Sequence, residues 1–267
     1  MSRITLREMI EGGAHYGHRT NKWNPKMGKY IYGKKDGIHI IDLQQTLGLF
    51  DEACEAAKNI VAKGGKILFV GTKKQAQNTV TEEAKRADMP YVSYRWLGGM
   101  LTNFKTIKQS IDKLKRFERM IESNEIKKYS KKEILKINKQ IQKLDRNLGG
   151  LKKMNKLPKA IFVVDVKREH LAVADAINLG IPVFAIVDTN VDPDLVDYPI
   201  PANDDAIKSI RLFLKGFADA CIEGKRLYEE KVKTEAKDGV KVEKKKSNFK
   251  PRGGKKTFKI QQKEESK

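Results

Sequence analysis

Ala160-Ile-Phe-Val-Val-Asp165 and Ile181-Pro-Val-Phe-Ala-Ile-Val187 are short apolar runs, closed by Asp165 and Asp188 respectively. Neither alternates apolar with polar residues, so each reads as a strand covered on both faces, the pattern of a parallel sheet. Between them Glu169 to Leu179 has a helical pattern, and Gly180 supplies a C-cap. Strand, helix and strand in that order make a right-handed crossover unit. Working outward, Lys66-Ile-Leu-Phe-Val-Gly71 and Pro90-Tyr-Val-Ser-Tyr94 repeat the strand pattern, and Gly37-Ile-His-Ile-Ile-Asp42 repeats it more weakly. Leu47 to Lys63 and Gln75 to Ala87 are helical. A last helix from Asp204 to about Lys231 places Ile207, Ile210, Leu214, Phe217 and Cys221 on one stripe. The expected fold is α/β, a Rossmann-like or flavodoxin-like three-layer sandwich around a parallel sheet, with the strand order left open.

Between Gly99 and Pro158 the strand-helix rhythm stops. Ile134, Ile137, Ile141, Leu144, Leu148 and Leu151 form a heptad seam, and Phe104, Ile107, Ile111, Leu114, Phe117 and Ile121 nearly repeat it. The polar link from Glu122 to Ser130 lets the two helices fold back as an antiparallel coiled-coil hairpin, each arm roughly 30 Å long. The expected organisation is a discontinuous core over 1–102 and 157–231, the inserted hairpin over 103–156 and a disordered basic tail over 232–267.

The chain carries 55 Lys and Arg against 34 Asp and Glu, a formal charge of +21. Residues 103–156 hold 17 basic and 6 acidic side chains, and residues 225–267 hold 16 and 7. These two appendages account for nearly all the excess, and the remainder is close to neutral. Such a distribution fits a polyanionic partner, most simply RNA. In the tail, Lys244, Lys245, Lys246, Lys250, Arg252, Lys255 and Lys256 surround Phe249 with too little apolar surface to order a free chain. Nonspecific RNA contact and a merely solubilising extension are equally open for it. The isolated Cys54 and Cys221 suit a reducing compartment. Charges in Met1 to Glu8 and the absence of a long apolar run point to a soluble, cytoplasmic protein without membrane contact.

Neither GxGxxG nor GxxxxGK[ST] occurs, so the usual nucleotide cradles are absent and no cofactor is expected. Gly71-Thr-Lys-Lys74 follows a strand and opens a helix; it is either a small phosphate cradle or a tight turn with solvated lysines. Asp165 and Asp188 stand where α/β enzymes place catalytic groups, but no nucleophile or ligand cluster accompanies them, so turn and helix capping is the favoured reading. His15 and His18 lack further ligands for a metal, and packing or an RNA contact is preferred. Two stretches are richer: His18-Arg-Thr-Asn-Lys-Trp-Asn-Pro-Lys26 and Arg95-Trp-Leu-Gly-Gly-Met-Leu-Thr-Asn103. Each mixes cations for phosphates with an indole and amides suited to bases, the composition of an RNA site. Core packing is the alternative for Trp23, and the stronger reading for Trp96.

These stretches also bring a family into view. Ala14-His-Tyr-Gly-His-Arg19, Trp23-Asn-Pro-Lys-Met27, Ile38-His-Ile-Ile-Asp-Leu43 and Arg95 to Asn103 closely resemble the bacterial form of the small ribosomal subunit protein two family. Pro158-Lys-Ala-Ile-Phe-Val-Val-Asp-Val-Lys-Arg-Glu-His170 and Leu179 to Asn190 extend the resemblance, which runs from about Leu6 to Glu223. It implies a non-enzymatic Rossmann-like domain with an inserted coiled coil. Its implied place is the solvent side of the small subunit, between head and body. The implied partners are small-subunit rRNA and other small-subunit proteins, including the large multi-domain protein one. Tyr16 stands where the family usually has Phe, and Asp175 where Glu is expected. The basic tail is longer than the family requires.

Charge, loop position and family motif together nominate His18, Arg19, Lys22, Trp23, Asn24, Lys26, Lys73, Lys74, Arg95, Lys105 and Lys108, with the tail cations above, as RNA-facing. No metal and no small-molecule substrate are expected. A nucleotide-binding enzyme on the same fold is the alternative from another class, and would require a phosphate fingerprint or an acid/base pair. A free nucleic-acid-binding regulator would require a recognition-helix motif.

Overall fold

The computed structural model describes residues 4–247, with their side chains other than those of Lys127 and 235–247. Helix α1 (Leu6–Glu11) starts at a capping box in which Thr5 and Glu8 satisfy each other's backbone N–H groups. Strands β1 (Tyr16–Arg19), β2 (Ile31–Lys35) and β3 (Ile38–Ile41) follow, and then α2 (Leu43–Ala62). The chain continues through β4 (Ile67–Val70), α3 (Lys74–Arg86) and β5 (Tyr91–Val92) into α4 (Phe104–Glu122) and α5 (Lys131–Leu148). It returns through β6 (Ala160–Val164), α6 (His170–Asn178), β7 (Val183–Val187) and β8 (Tyr198–Pro201) to α7 (Ile207–Ser247).

Five strands form one parallel sheet in the order β5-β4-β6-β7-β8. This is the flavodoxin-like order, with its topological switch between β4 and β6. Successive side chains of each strand feed opposite layers. Phe69, Phe162 and Phe184 join α1, α2, α3 and α7, while Leu68, Val70, Ile161, Val163 and Ala185 join α6 and the root of the helical arm. The strands are apolar on both faces because both are covered. On the first face Phe217 of α7 lies 4.3 Å from the Phe162 ring, 5.2 Å from Phe184 and 5.8 Å from Phe69.

The arm departs from the sheet after β5. Ile111 of α4 shares one buried cluster with Leu148 at the end of α5 and with Leu151 just beyond it, and Leu114 of α4 is fully buried as well. Farther out the seam is less covered: Ile134, Ile137 and Ile141 are half-buried and Ile121 is 42% exposed. Two helices alone cover only one side of each other, so the apolar stripe is sealed only where the sheet contributes a third surface. Ser130 and Glu133 cap the start of α5 with a second capping box.

Three expectations are corrected. Ile38–Ile41 lies outside the parallel sheet; it is the middle strand of a separate antiparallel sheet, order β1-β3-β2. Asp36 (φ 51°) and Gly37 (φ 74°) make the tight turn that pairs β2 with β3. The strand expected over 90–94 is only Tyr91–Val92. Helix α7 runs on to Ser247 rather than ending near Lys231, so 232–247 is helical where no regular structure was expected. Lys, Glu and Ala dominate its first turns past 231, and pairs such as Glu229 and Lys233 have the i,i+4 spacing that supports an exposed helix. Of the described residues, those up to Tyr228 form one compact unit and those from Glu229 to Ser247 belong to a second. The tail positions Lys250, Arg252, Lys255 and Lys256 lie outside the described residues. Strand β8 was not anticipated, because Pro199 and Pro201 read as strand breakers. At a sheet edge a proline's missing donor faces no partner strand.

Candidate nucleic-acid interface

The edge of the sheet where α/β folds hold ligands is filled by the chain's own side chains. The Thr72 amide, which would face a phosphate, donates to Glu169 Oε1 at 2.7 Å, and the Thr72 hydroxyl donates to the same oxygen. Burial pushes the Glu169 pKa up, against those two hydrogen bonds. Lys73 turns inward and meets Asp165 at 3.1 Å, Asp204 at 2.7 Å and Asp205 at 2.6 Å. Burial works against its charge, but these carboxylates more than offset that and hold the ammonium above the usual lysine range. Asp204 is pushed up to about 7, first by burial and then by Asp188 and Asp165, in spite of Lys73. The phosphate-cradle alternative for Gly71 to Lys74 therefore has no donor to spare at Thr72 or Lys73. Only Lys74 of this segment is exposed.

The two aspartates act locally as caps. Asp165 Oδ1 accepts from the Arg168 amide at 3.0 Å, and Asp188 accepts from the Thr189 amide and from His18 Nδ1 at 3.0 Å. The bond to Asp188 raises the His18 pKa, partly countered by burial. His18 also meets Asn190 at 3.0 Å, so it is an internal anchor of the loop. His15 packs on Tyr16 with ring centroids 4.0 Å apart. Among the described residues no group of three or more His, Cys, Asp or Glu is placed to hold a metal ion.

The first loop divides into anchors and free cations. The Asn24 side chain accepts from the Lys26 amide, and the Asn24 amide donates to the Thr189 carbonyl, pinning the loop beside β7. Lys26 is bound to Asp192 at 2.7 Å and Asp194 at 3.0 Å, which raise its pKa. Its charge is answered inside the chain. Arg19 and Lys22 are exposed and have no carboxylate partner among the described residues. Trp23 is 40% exposed, with one side against the buried His39 at 5.0 Å. It is both a packing residue and an open aromatic surface.

At the root of the arm, Trp96 is buried and its indole N–H donates to Asp175 at 3.3 Å. Asp175 also accepts from the Thr102 hydroxyl, so this carboxylate ties α6 to the chain entering the arm. Arg95, Lys105 and Lys108 are exposed, without carboxylate partners among the described residues. Lys244, Lys245 and Lys246 lie on the last turns of α7. The sequence reading missed Tyr32, Lys34 and Lys35 on β2. Tyr32 is 81% exposed and both lysines stand open; Lys34 shares a shallow pocket with Trp23, and Lys35 and Arg19 flank Ile38 of β3 from either side. The Asp36-Gly37 turn signal was the clue that these residues sit on a short exposed hairpin.

Comparison with known proteins decides what this surface belongs to. The family profile of ribosomal protein S2 matches residues 9–224. The chain belongs to the ribosomal protein S2 family. A relative named small ribosomal subunit protein uS2 from Geotalea uraniireducens is 55% identical over 235 residues, 88% of this chain and 92% of the relative. Those of the same name from Syntrophobacter fumaroxidans and Solidesulfovibrio magneticus are 54% identical over 230 residues and 53% over 224, covering 86% and 84% of this chain and 84% and 87% of themselves. The S2 match takes in the loop, the hairpin β2–β3, the switch-point ion pairs and the whole arm. It ends at Gly224, before the part of α7 and the tail that carry the other cationic excess.

Proposed function

We propose that this chain is a structural constituent of the small ribosomal subunit, without catalytic activity, that binds rRNA and neighbouring small-subunit proteins in the cytoplasm. The observation that carries the reading is the division of the cations. Lys73, at the sheet's ligand edge, is neutralised within the fold. Arg19, Lys22, Lys34, Lys35, Arg95, Lys105 and Lys108 are exposed without carboxylate partners among the described residues. Exposed cations beside Trp23 and Tyr32 suit phosphates and unstacked bases together. Within this reading, 103–156 is an antiparallel coiled-coil arm inserted into a core of 1–102 and 157–231. The segment 232–267 is a basic extension that adds rRNA contacts. The large multi-domain small-subunit protein one is among the protein partners. No helix among the described residues is long and apolar enough to cross a membrane.

The pair Arg19→Glu and Lys22→Glu is the direct test of the loop. Neither side chain bears a bond that holds the fold, so stability stays unchanged while incorporation into assembling subunits falls at least tenfold. The dependence of log affinity on log salt also loses about 2 units of slope. Lys26→Gln, whose charge is answered by Asp192 and Asp194, changes incorporation far less. Wild-type incorporation of the double variant would remove this loop from the interface.

A further inference from the structure

At the edge of the parallel sheet away from the switch point, the chain entering β4, β5, β6 and β7 lines a groove of about 1200 Å³. Its floor is apolar, built from Met89, Pro90, Tyr91, Met154, Leu157 and Pro182. Lysines form its rim. Lys63 and Lys66 come from the turn between α2 and β4, and Lys85 from the last turn of α3. Four more come from the link between α5 and β6: Lys152, Lys153, Lys156 and Lys159. Asp88 is the one acid among the lining residues.

That acid gathers cations rather than balancing them. Lys66 at 3.2 Å, Lys153 at 2.9 Å and Lys225 at 3.0 Å all converge on its carboxylate, leaving two positive charges in excess. Lys152 is answered separately by Glu118 and Asp145. Lys63, Lys85, Lys156 and Lys159 are exposed and have no carboxylate partner among the described residues. Lys85 stands over the Tyr91 ring, 5.9 Å from its centroid, marking where cation and aromatic surface meet.

We infer that this groove seats a single-stranded segment of rRNA, with phosphates on the lysine rim and bases or riboses on the apolar floor. The inference rests on the rRNA-binding reading above and adds a second surface to it, on the opposite edge of the sheet from the first loop. Each nucleotide brings one phosphate and one flat ring, so a short strand satisfies rim and floor at every step. An acidic protein segment would do so only with carboxylates and apolar side chains alternating in register with the groove.

The test is amine acylation of the full chain, free and bound to small-subunit rRNA, read lysine by lysine by mass spectrometry. A poly-glutamate peptide serves as the competing polyanion. In a second arm, Lys63, Lys85, Lys156 and Lys159 are all changed to Gln and rRNA binding is followed across a salt series. Bound rRNA is expected to protect these lysines at least fivefold. The fourfold variant is expected to melt as wild type and to lose about 3 units of salt slope. Groove lysines that stay reactive while Lys22 and Lys34 become protected would overturn the groove and leave the rRNA reading intact. Protection by poly-glutamate but not by rRNA would reassign the groove to an acidic protein and equally overturn the inference. No preference of the wild-type chain for rRNA over an unrelated RNA would remove the underlying reading, and the groove with it.

Discussion

Lys73→Met is expected to lower the free energy of unfolding by about 3–5 kcal/mol at pH 8, the range for a buried charge left without its partner. Lys73 is the ammonium that Asp165, Asp204 and Asp205 share, and Asp204 is almost fully buried. Without it those carboxylates face one another and Asp188, offset by His18. Acid relieves the damage, and the sign follows from the shifts. The Asp204 pKa is raised on folding, so in the range up to about 7 the folded state binds more protons than the unfolded state, and stability falls as pH rises through that range. The His18 pKa is also raised, and its contribution is likewise present at low pH and lost as pH rises. Urea unfolding at pH 8 and pH 5 is the measurement, with the loss at pH 5 less than half that at pH 8. Equal losses at the two pH values, or a loss under about 1 kcal/mol at pH 8, would mean that this cluster does not hold the strand ends together.

Phe217→Ala is expected to cost about 3–5 kcal/mol at any pH and to lower the melting temperature by roughly 10 °C. The Phe217 ring is fully buried and touches the rings of Phe69, Phe162 and Phe184, one from each of three central strands. Truncation leaves a cavity that the surrounding strands, fixed by their ladders, cannot close. Because Phe217 is fully buried in the core and contributes nothing to the charged surface, the salt slope of rRNA binding by the folded variant is expected to match wild type. A changed slope would show that the core and the charged surfaces are not independent.

What the sequence made legible follows from how local the signal was. Strands β4, β6 and β7 announce themselves because each lies between two covered faces and is apolar throughout. Strand β8 hides behind Pro199 and Pro201, which only an edge position tolerates. Ile38 to Ile41 has the residues of a strand, but which sheet takes it depends on the Asp36-Gly37 turn that pairs it with β2. Helices α4 and α5 could be read from the spacing of their apolar residues, whereas where those residues are covered depends on the sheet.

The candidate site was less legible, because the partners of a cation are set by tertiary structure. Lys73 reads as a phosphate ligand or a solvated lysine from its neighbours in sequence. Its carboxylates come from the ends of β6 and the approach to α7, and nothing local predicts them. Lys26 is the same case, paired with Asp192 and Asp194 from the turn after β7. Arg19, Lys22 and Arg95 remain exposed, and Arg19 and Arg95 stand in the motifs that carry the family resemblance.

The central claim is that this chain is an rRNA-binding constituent of the small subunit. Its most direct test is binding of the purified protein to small-subunit rRNA against an unrelated RNA of equal length. The series should run across salt, with and without the other small-subunit proteins. Preference for the small-subunit rRNA that weakens steeply with salt, together with uptake into the assembling subunit, is the expected result. Equal, weak binding to both RNAs with no uptake would contradict it.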